Sequence, residues 1–273
     1  MTNLEIKKKG YLIAVDLDDT LVTGFDKNDT KSLELLKEVA KYNYVVIATG
    51  RPLRSSIYYY NMLGLTTPII NYNGALVHHP YDKKFKKSYI SVPKDWIIKI
   101  IDDNSFIKNI FCEIEDNIYL YKKQDELNPY LHLDGGILNV GSFKYTLPSD
   151  PNGAIIFSEL GSGEAFQKYI DEEFKGKLLV RFWNCDDYSL CEVYNPLTTK
   201  GNGIKRIIDY YHIDKDKTIA IADGHNDIEL FKEVKIGVAM ANSHEDLLKI
   251  ATYKTKSVQE HGVYEFLYEF FCK

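Results

Sequence analysis

The sequence predicts an α/β protein, a parallel-sheet core interrupted by an inserted α+β cap domain. Three observations predict it. Continuously apolar strand-like runs alternate with helix-patterned segments over the first 75 residues, as in a parallel sheet covered on both faces. The same alternation returns in the last part of the chain. Between them, strand-like segments alternate apolar and polar residues, the pattern of an antiparallel sheet. The expected division is a core of residues 1–79 and 195–273 and a cap of residues 80–194.

The elements follow in order. Residues 11–16 (YLIAVD) read as a buried strand. Asp29 or Thr30 can cap a helix carrying Leu33, Leu36, Val39 and Ala40 at helical spacing. The run YVVIA (44–48) is a second strand that enters the turn Thr49-Gly50-Arg51-Pro52, and a helix then extends to about Leu63. Gly64 is placed to end that helix. PIINYNGA (68–75) reads as a third strand ending in Asn-Gly. In the middle, residues 112–123 predict a hairpin turning at Asp116-Asn117, and residues 178–194 another turning near Asp186-Asp187. Helices are expected over 95–103 and 164–174. The final part predicts a helix over 201–211, a strand at 218–222, a helix over 227–234, a strand at 235–240 and a helix from about Ser243.

Composition narrows the function classes. The chain has 273 residues, 45% hydrophobic and 27% charged, which is ordinary for a globular protein able to bury a core. Its net charge of −5 argues against nucleic acid as partner, because a polyanion wants a basic surface. No apolar run approaches the roughly 20 residues that a membrane helix needs. The run after Lys7-Lys8-Lys9 stops at Asp16, too soon for a signal peptide. The four cysteines show no CxxC pair, so neither a zinc site nor a disulfide framework is indicated. Free thiols in a reducing, cytoplasmic compartment are the reading.

Ligands of an open α/β sheet bind beyond the carboxyl ends of its strands. Three strands deliver polar groups there: Asp16-Leu17-Asp18-Asp19-Thr20, then Thr49-Gly50-Arg51, then Asp223-Gly224-His225-Asn226-Asp227. An aspartate can attack phosphorus, which splits hydrolysis into two easier displacements. A second carboxylate two residues on can protonate the leaving oxygen and later deprotonate water. Asp16 and Asp18 suit these tasks; a solvated acidic turn is the alternative, made less attractive by the strand that runs directly into it. Clustered carboxylates need a cation, and Mg²⁺ is the natural one. Asp16, Asp223 and the Asp18 carbonyl are the expected ligands, with Asp227 orienting them. Asp227 also suits a helix N-terminus. Phosphoryl oxygens need donors and positive charge, which the Thr49 hydroxyl, the Gly50 amide and Lys200 can supply. On spacing alone, Lys200 could equally be a solvated surface lysine.

Together these segments resemble the haloacid dehalogenase (HAD) superfamily, and within it the Cof-type sugar phosphatases with a large cap. The carrying residues are YLIAVDLDDT, VVIATGRP, Lys200 in TTKGNGI, and IADGHND, with NYNGA, GVAMANS and HGV as further matching segments. The resemblance runs along essentially the whole chain. It implies a Rossmann-like, HAD-like core, Asp16 as nucleophile, Asp18 as acid and base, and Mg²⁺ held by Asp16, the Asp18 carbonyl and Asp223. It also implies phosphoryl contacts from the Leu17 backbone, Thr49 with Gly50, Lys200 and Asn226. Two departures are small-for-small: Ala222 stands where a glycine is usual, and Ala241-Asn242-Ser243 where Gly-Asn-Ala is usual.

The implied substrate is a small phosphorylated metabolite, with His132, Asp134, Arg181, Trp183 and Asn184 as cap residues able to meet a sugar or simply to face water or core. Two alternatives stand beside the phosphatase: a phosphomutase or phosphotransferase on the same scaffold, and a non-catalytic sugar-phosphate-binding regulator. The intact set Asp16, Asp18, Lys200, Asp223 and Asp227 counts against the regulator.

Overall fold

The computed structural model describes residues 5–24, 27–183 and 185–273. It divides into two compact units. One comprises Met1–Arg51, Ser56–Ser88 and Thr199–Lys273, and the other Pro52–Ser55 with Tyr89–Thr198.

The first unit holds a five-stranded parallel sheet in the order Tyr253–Lys254, Ile236–Ala239, Thr218–Ala222, Leu12–Val15, Tyr44–Ile47. The Leu12–Val15 strand, between Thr218–Ala222 and Tyr44–Ile47, is fully buried on both faces. One face packs Leu12, Ala14, Val46 and Ala220 with Ile204, Ile207, Leu230 and Leu247. The opposite face buries Ile13, Val15, Val45 and Ile47. Continuous apolar strands are therefore what this position demands. Helix Thr30–Ala40 begins at Asp29, whose carboxylate accepts the Ser32 amide at 3.2 Å.

Several boundaries differ from expectation. The third strand stops at Asn71, and Tyr72–Gly74 form a 3-10 turn with Tyr72 at φ 49°, Asn73 at φ 53° and Gly74 at φ 102°. Left-handed backbone at three successive residues cannot continue a strand. His225–Asp227 likewise form a 3-10 turn before helix Ile228–Glu233. The C-terminal helix Gly262–Phe271 was not foreseen, although it is apolar over most of its length.

The second unit holds a six-stranded sheet in the order Ile137–Val140, Asn117–Leu120, Ile107–Ile114, Ala154–Ser158, Ser189–Tyr194, Leu179–Trp183. Helices Lys94–Asp103 and Gly163–Phe174 cover one face through Ile97, Ile100, Phe166 and Ile170. The pairing is antiparallel except between Ile137–Val140 and Asn117–Leu120, which run parallel. The expected alternation fails in the middle strands, which are buried on both faces because Phe111, Ile118, Leu127 and Phe157 build a second small core opposite the helices. The hairpin expected at Asp116-Asn117 turns one residue earlier, at Glu115-Asp116, with Glu115 at φ 54°.

Candidate active site

Parallel register brings the sequence-predicted groups to one edge. Val15 lies opposite both Ile221 and Ile47. One step on, the Asp16 amide donates to the Ile221 carbonyl at 3.0 Å, and the Ala48 amide to the Val15 carbonyl at 2.9 Å. Asp16, Thr49 and Asp223 thus leave neighbouring strands together, as open α/β sheets require. After Asp16 the chain folds back sharply. The Leu17 carbonyl accepts the amides of Thr20, Leu21 and Val22, and Asp19 takes φ 52°.

Lys200 is 0% exposed, which removes the surface-lysine alternative. It opens helix Lys200–Tyr211, whose Thr199 cap accepts the Asn202 amide at 3.0 Å. Its Nζ lies 3.0 Å from Asp16 Oδ1 and 2.8 Å from Asp227 Oδ1. A buried ammonium persists only when so paired. Burial alone would lower the Lys200 pKa; the two carboxylates outweigh it and raise it. Asp227 is fully buried, and its Oδ2 accepts the Gly224 amide at 3.0 Å. Its two oxygens therefore fix Lys200 and the loop that carries Asp223.

Burial raises the Asp16 carboxyl to about 7; Lys200 opposes the rise, while Asp227 and Asp18 add to it. Burial, then Asp16 and Asp227, raise Asp223 to about 8, although the Thr20 hydroxyl donates to its Oδ1 at 2.7 Å. A buried and a half-buried carboxylate that repel each other are a site short of positive charge. Among the described residues no three His, Cys, Asp or Glu side chains converge as a metal cage. The donor set on offer is two carboxylates, Asp16 and Asp223, with the Asp18 carbonyl nearby in the chain. That set suits Mg²⁺, which takes one or two carboxylates and keeps waters, and it does not suit zinc.

Asp18 is half-exposed, and its carboxylate is gripped by the buried Arg51 guanidinium. The Thr49 hydroxyl accepts the Arg51 amide at 3.1 Å. Asn226 Nδ2 donates to Asn73 Oδ1 at 2.9 Å, and Asn73 also lies against Gly50. Arg51, Asn73 and Asn242 were given no role from sequence. Asn242 Nδ2 donates to the Asp19 carbonyl at 2.8 Å and so ties down the Asp16 loop. Their signal was position, polar residues just past a strand end or inside a matching segment.

The cap residues fare differently. Arg181 is buried, with Nη1 2.9 Å from Glu192 Oε2 and its guanidinium over the Tyr194 ring. The His132 carbonyl accepts Arg54 Nε at 2.7 Å, and Asp134 accepts the Ser55 hydroxyl. Trp183 is exposed, and Asn184 lies outside the described residues.

A parallel α/β core whose strand ends carry paired aspartates, a buried lysine and a hydroxyl defines a phosphoryl-transfer type of enzyme. Residues 13–267 match the haloacid dehalogenase-like hydrolase family, and the chain belongs to that family as an enzyme of its phosphatase class. Among its relatives is the 5-amino-6-(5-phospho-D-ribitylamino)uracil phosphatase YitU of Bacillus subtilis, 31% identical over 271 residues that cover 97% of this chain and 99% of that protein. A putative phosphatase of Metamycoplasma hominis is 28% identical, covering 95% of this chain and 96% of its own. Solved structures share the fold. A haloacid dehalogenase-like hydrolase from Bacteroides thetaiotaomicron aligns at TM-score 0.81 and 22% identity, over 96% of this chain and 100% of that one. The HAD subclass IIB sugar phosphatase BT4131 aligns at TM-score 0.77 and 21% identity, over 95% and 98%. No helix among the described residues is long and apolar enough to cross a membrane.

Proposed function

We propose that the protein is a Mg²⁺-dependent phosphatase of small phosphomonoesters, sugar or sugar-alcohol phosphates, working through an aspartyl-phosphate on Asp16. The observation that carries this reading is Asp16 at a parallel-strand end, with the fully buried Lys200 Nζ 3.0 Å from its Oδ1.

Asp16 attacks phosphorus; the new carboxylate–phosphorus bond forms as the ester P–O bond breaks. Asp18 delivers a proton to the departing alkoxide, then removes one from the water that attacks the acyl-phosphate. Phosphate leaves and Asp16 is regenerated. Leu17 and Gly50 amides, the Thr49 hydroxyl, Lys200 and Asn226 bind the non-bridging oxygens. Asp227 keeps Lys200 in place. Mg²⁺, held by Asp16, Asp223 and the Asp18 carbonyl, would neutralise the carboxylates and the phosphoryl charge when bound. The substrate class draws support from the YitU name, which specifies a phosphorylated ribityl chain for that relative.

Phosphate release should be measured from p-nitrophenyl phosphate, a sugar-phosphate panel and 5-amino-6-(5-phospho-D-ribitylamino)uracil, with Mg²⁺ or with EDTA. Mg²⁺-dependent release without any acceptor sugar is expected. Release only when an acceptor sugar is added would replace the phosphatase by a phosphotransferase.

A further inference from the structure

We propose that Asn73 is a positioning residue of the phosphoryl pocket, acting through Asn226; this rests on the function proposed above. Apart from the Leu17 amide, the groups expected to bind the phosphoryl oxygens come from three separate segments, Thr49-Gly50, Lys200 and Asn226. The 3-10 turn Tyr72–Gly74 meets all three. The Asn73 amide donates to the Thr49 carbonyl at 3.1 Å. Its Oδ1 accepts from Asn226 Nδ2 at 2.9 Å. A methyl group built on Gly50 would stand 3.2 Å from that same Oδ1. One residue on, a methyl built on Gly74 would strike the carbonyl of Thr199, the residue before Lys200.

Asn73 is 1% exposed, with φ 53° and ψ 23°, a left-handed conformation that asparagine accepts more readily than most residues. The Asn226 amide carries two N–H hydrogens. Spending one on Asn73 fixes the plane in which the other points, and a donor aimed in advance is what transition-state charge requires. A neutral acceptor adds no charge to a pocket that already holds the carboxyl groups of Asp16, Asp223 and Asp227.

The test compares wild type, Asn73→Gly, Asn226→Ala and the double variant. Glycine keeps the left-handed backbone and removes the side chain that carries the acceptor. Readouts are kcat, KM, the inhibition constant of orthovanadate and the melting temperature, all with Mg²⁺. Asn73→Gly is expected to lower kcat/KM and weaken orthovanadate about tenfold or more, since small misplacements at a reacting centre are costly. The double variant is expected to be no worse than Asn226→Ala, because the two act as one unit. Multiplying losses would overturn the proposal, as would an unchanged orthovanadate constant in Asn73→Gly. If Asn73→Gly fails to fold, Asn73→Asp replaces it. Its added negative charge should weaken orthovanadate at least tenfold, and an unchanged constant would overturn the proposal. A wild type that releases no phosphate would instead overturn the phosphatase reading itself.

Discussion

Arg51 holds the Asp18 carboxylate in a fork, with Nε 3.1 Å from Oδ1 and 3.0 Å from Oδ2, and Nη2 2.5 Å from Oδ1. The guanidinium is buried while the carboxylate is half in solvent, so the arginine is the fixed partner. A carboxylate so gripped is held in one place beside the Asp16 loop. Lysine would keep the charge and lose the two-pronged geometry. Arg51→Lys is therefore expected to lower kcat about tenfold, a part of the roughly 10²–10⁴-fold that general acid–base catalysis supplies. Steady-state kinetics check this, and an unchanged kcat would separate the fork from catalysis.

The metal-free protein should lose stability as pH rises. Asp16 and Asp223 stand at about 7 and 8, above the ordinary carboxylate value near 4. The folded state therefore binds more protons than the unfolded state between these limits. The associated stability is full below about pH 4 and is lost as pH rises through 7 to 8. Thermal melts in EDTA should fall from pH 5 to pH 8.5, and Mg²⁺ should restore more at pH 8 than at pH 5. Asp223→Asn should flatten the slope; an equal slope in that variant would contradict the assignment.

Lys200 is a stability test as well as a catalytic one. Lys200→Met leaves Asp16 and Asp227 without their shared cation, at a cost of about 3–5 kcal/mol for a broken buried pair. Adding Asp227→Asn should recover part of that loss, a non-additivity read by urea unfolding of the single and double variants.

Gly74→Ala should destabilise by about 1–3 kcal/mol, the usual cost of a side chain in a disfavoured backbone region. Its φ of 102° and the collision with the Thr199 carbonyl both act against alanine. Denaturant unfolding measures the loss.

The strand ends were the most legible part of the sequence. YLIAVD, YVVIA and TIAIA are continuously apolar because their sheet is covered on both faces, and each run stops at its polar group. Lys200 was ambiguous because nothing local shows that a lysine at a helix start will be buried; only the return of Asp16 and Asp227 from distant strands decides it. Arg51 and Asn73 were visible as residues but silent as roles, since their partners lie 33 and 153 positions away. Arg181 looked like a cap residue for a sugar, yet its cross-strand neighbour Glu192 draws it into a buried pair. The double-sided burial of the cap sheet was hidden because Leu127, in the 3-10 turn Asp125–Leu127, and Phe157, in a strand 30 positions on, close its second face together.

The most direct test of the account is to trap the acyl-phosphate. Wild type and Asp16→Asn would be mixed with ³²P-labelled substrate and Mg²⁺, quenched in acid within one turnover, and digested. Label on the peptide containing Asp16, absent from Asp16→Asn and lost on exposure to hydroxylamine, is the predicted result. Turnover with no label at Asp16, or turnover retained by Asp16→Asn, would contradict it.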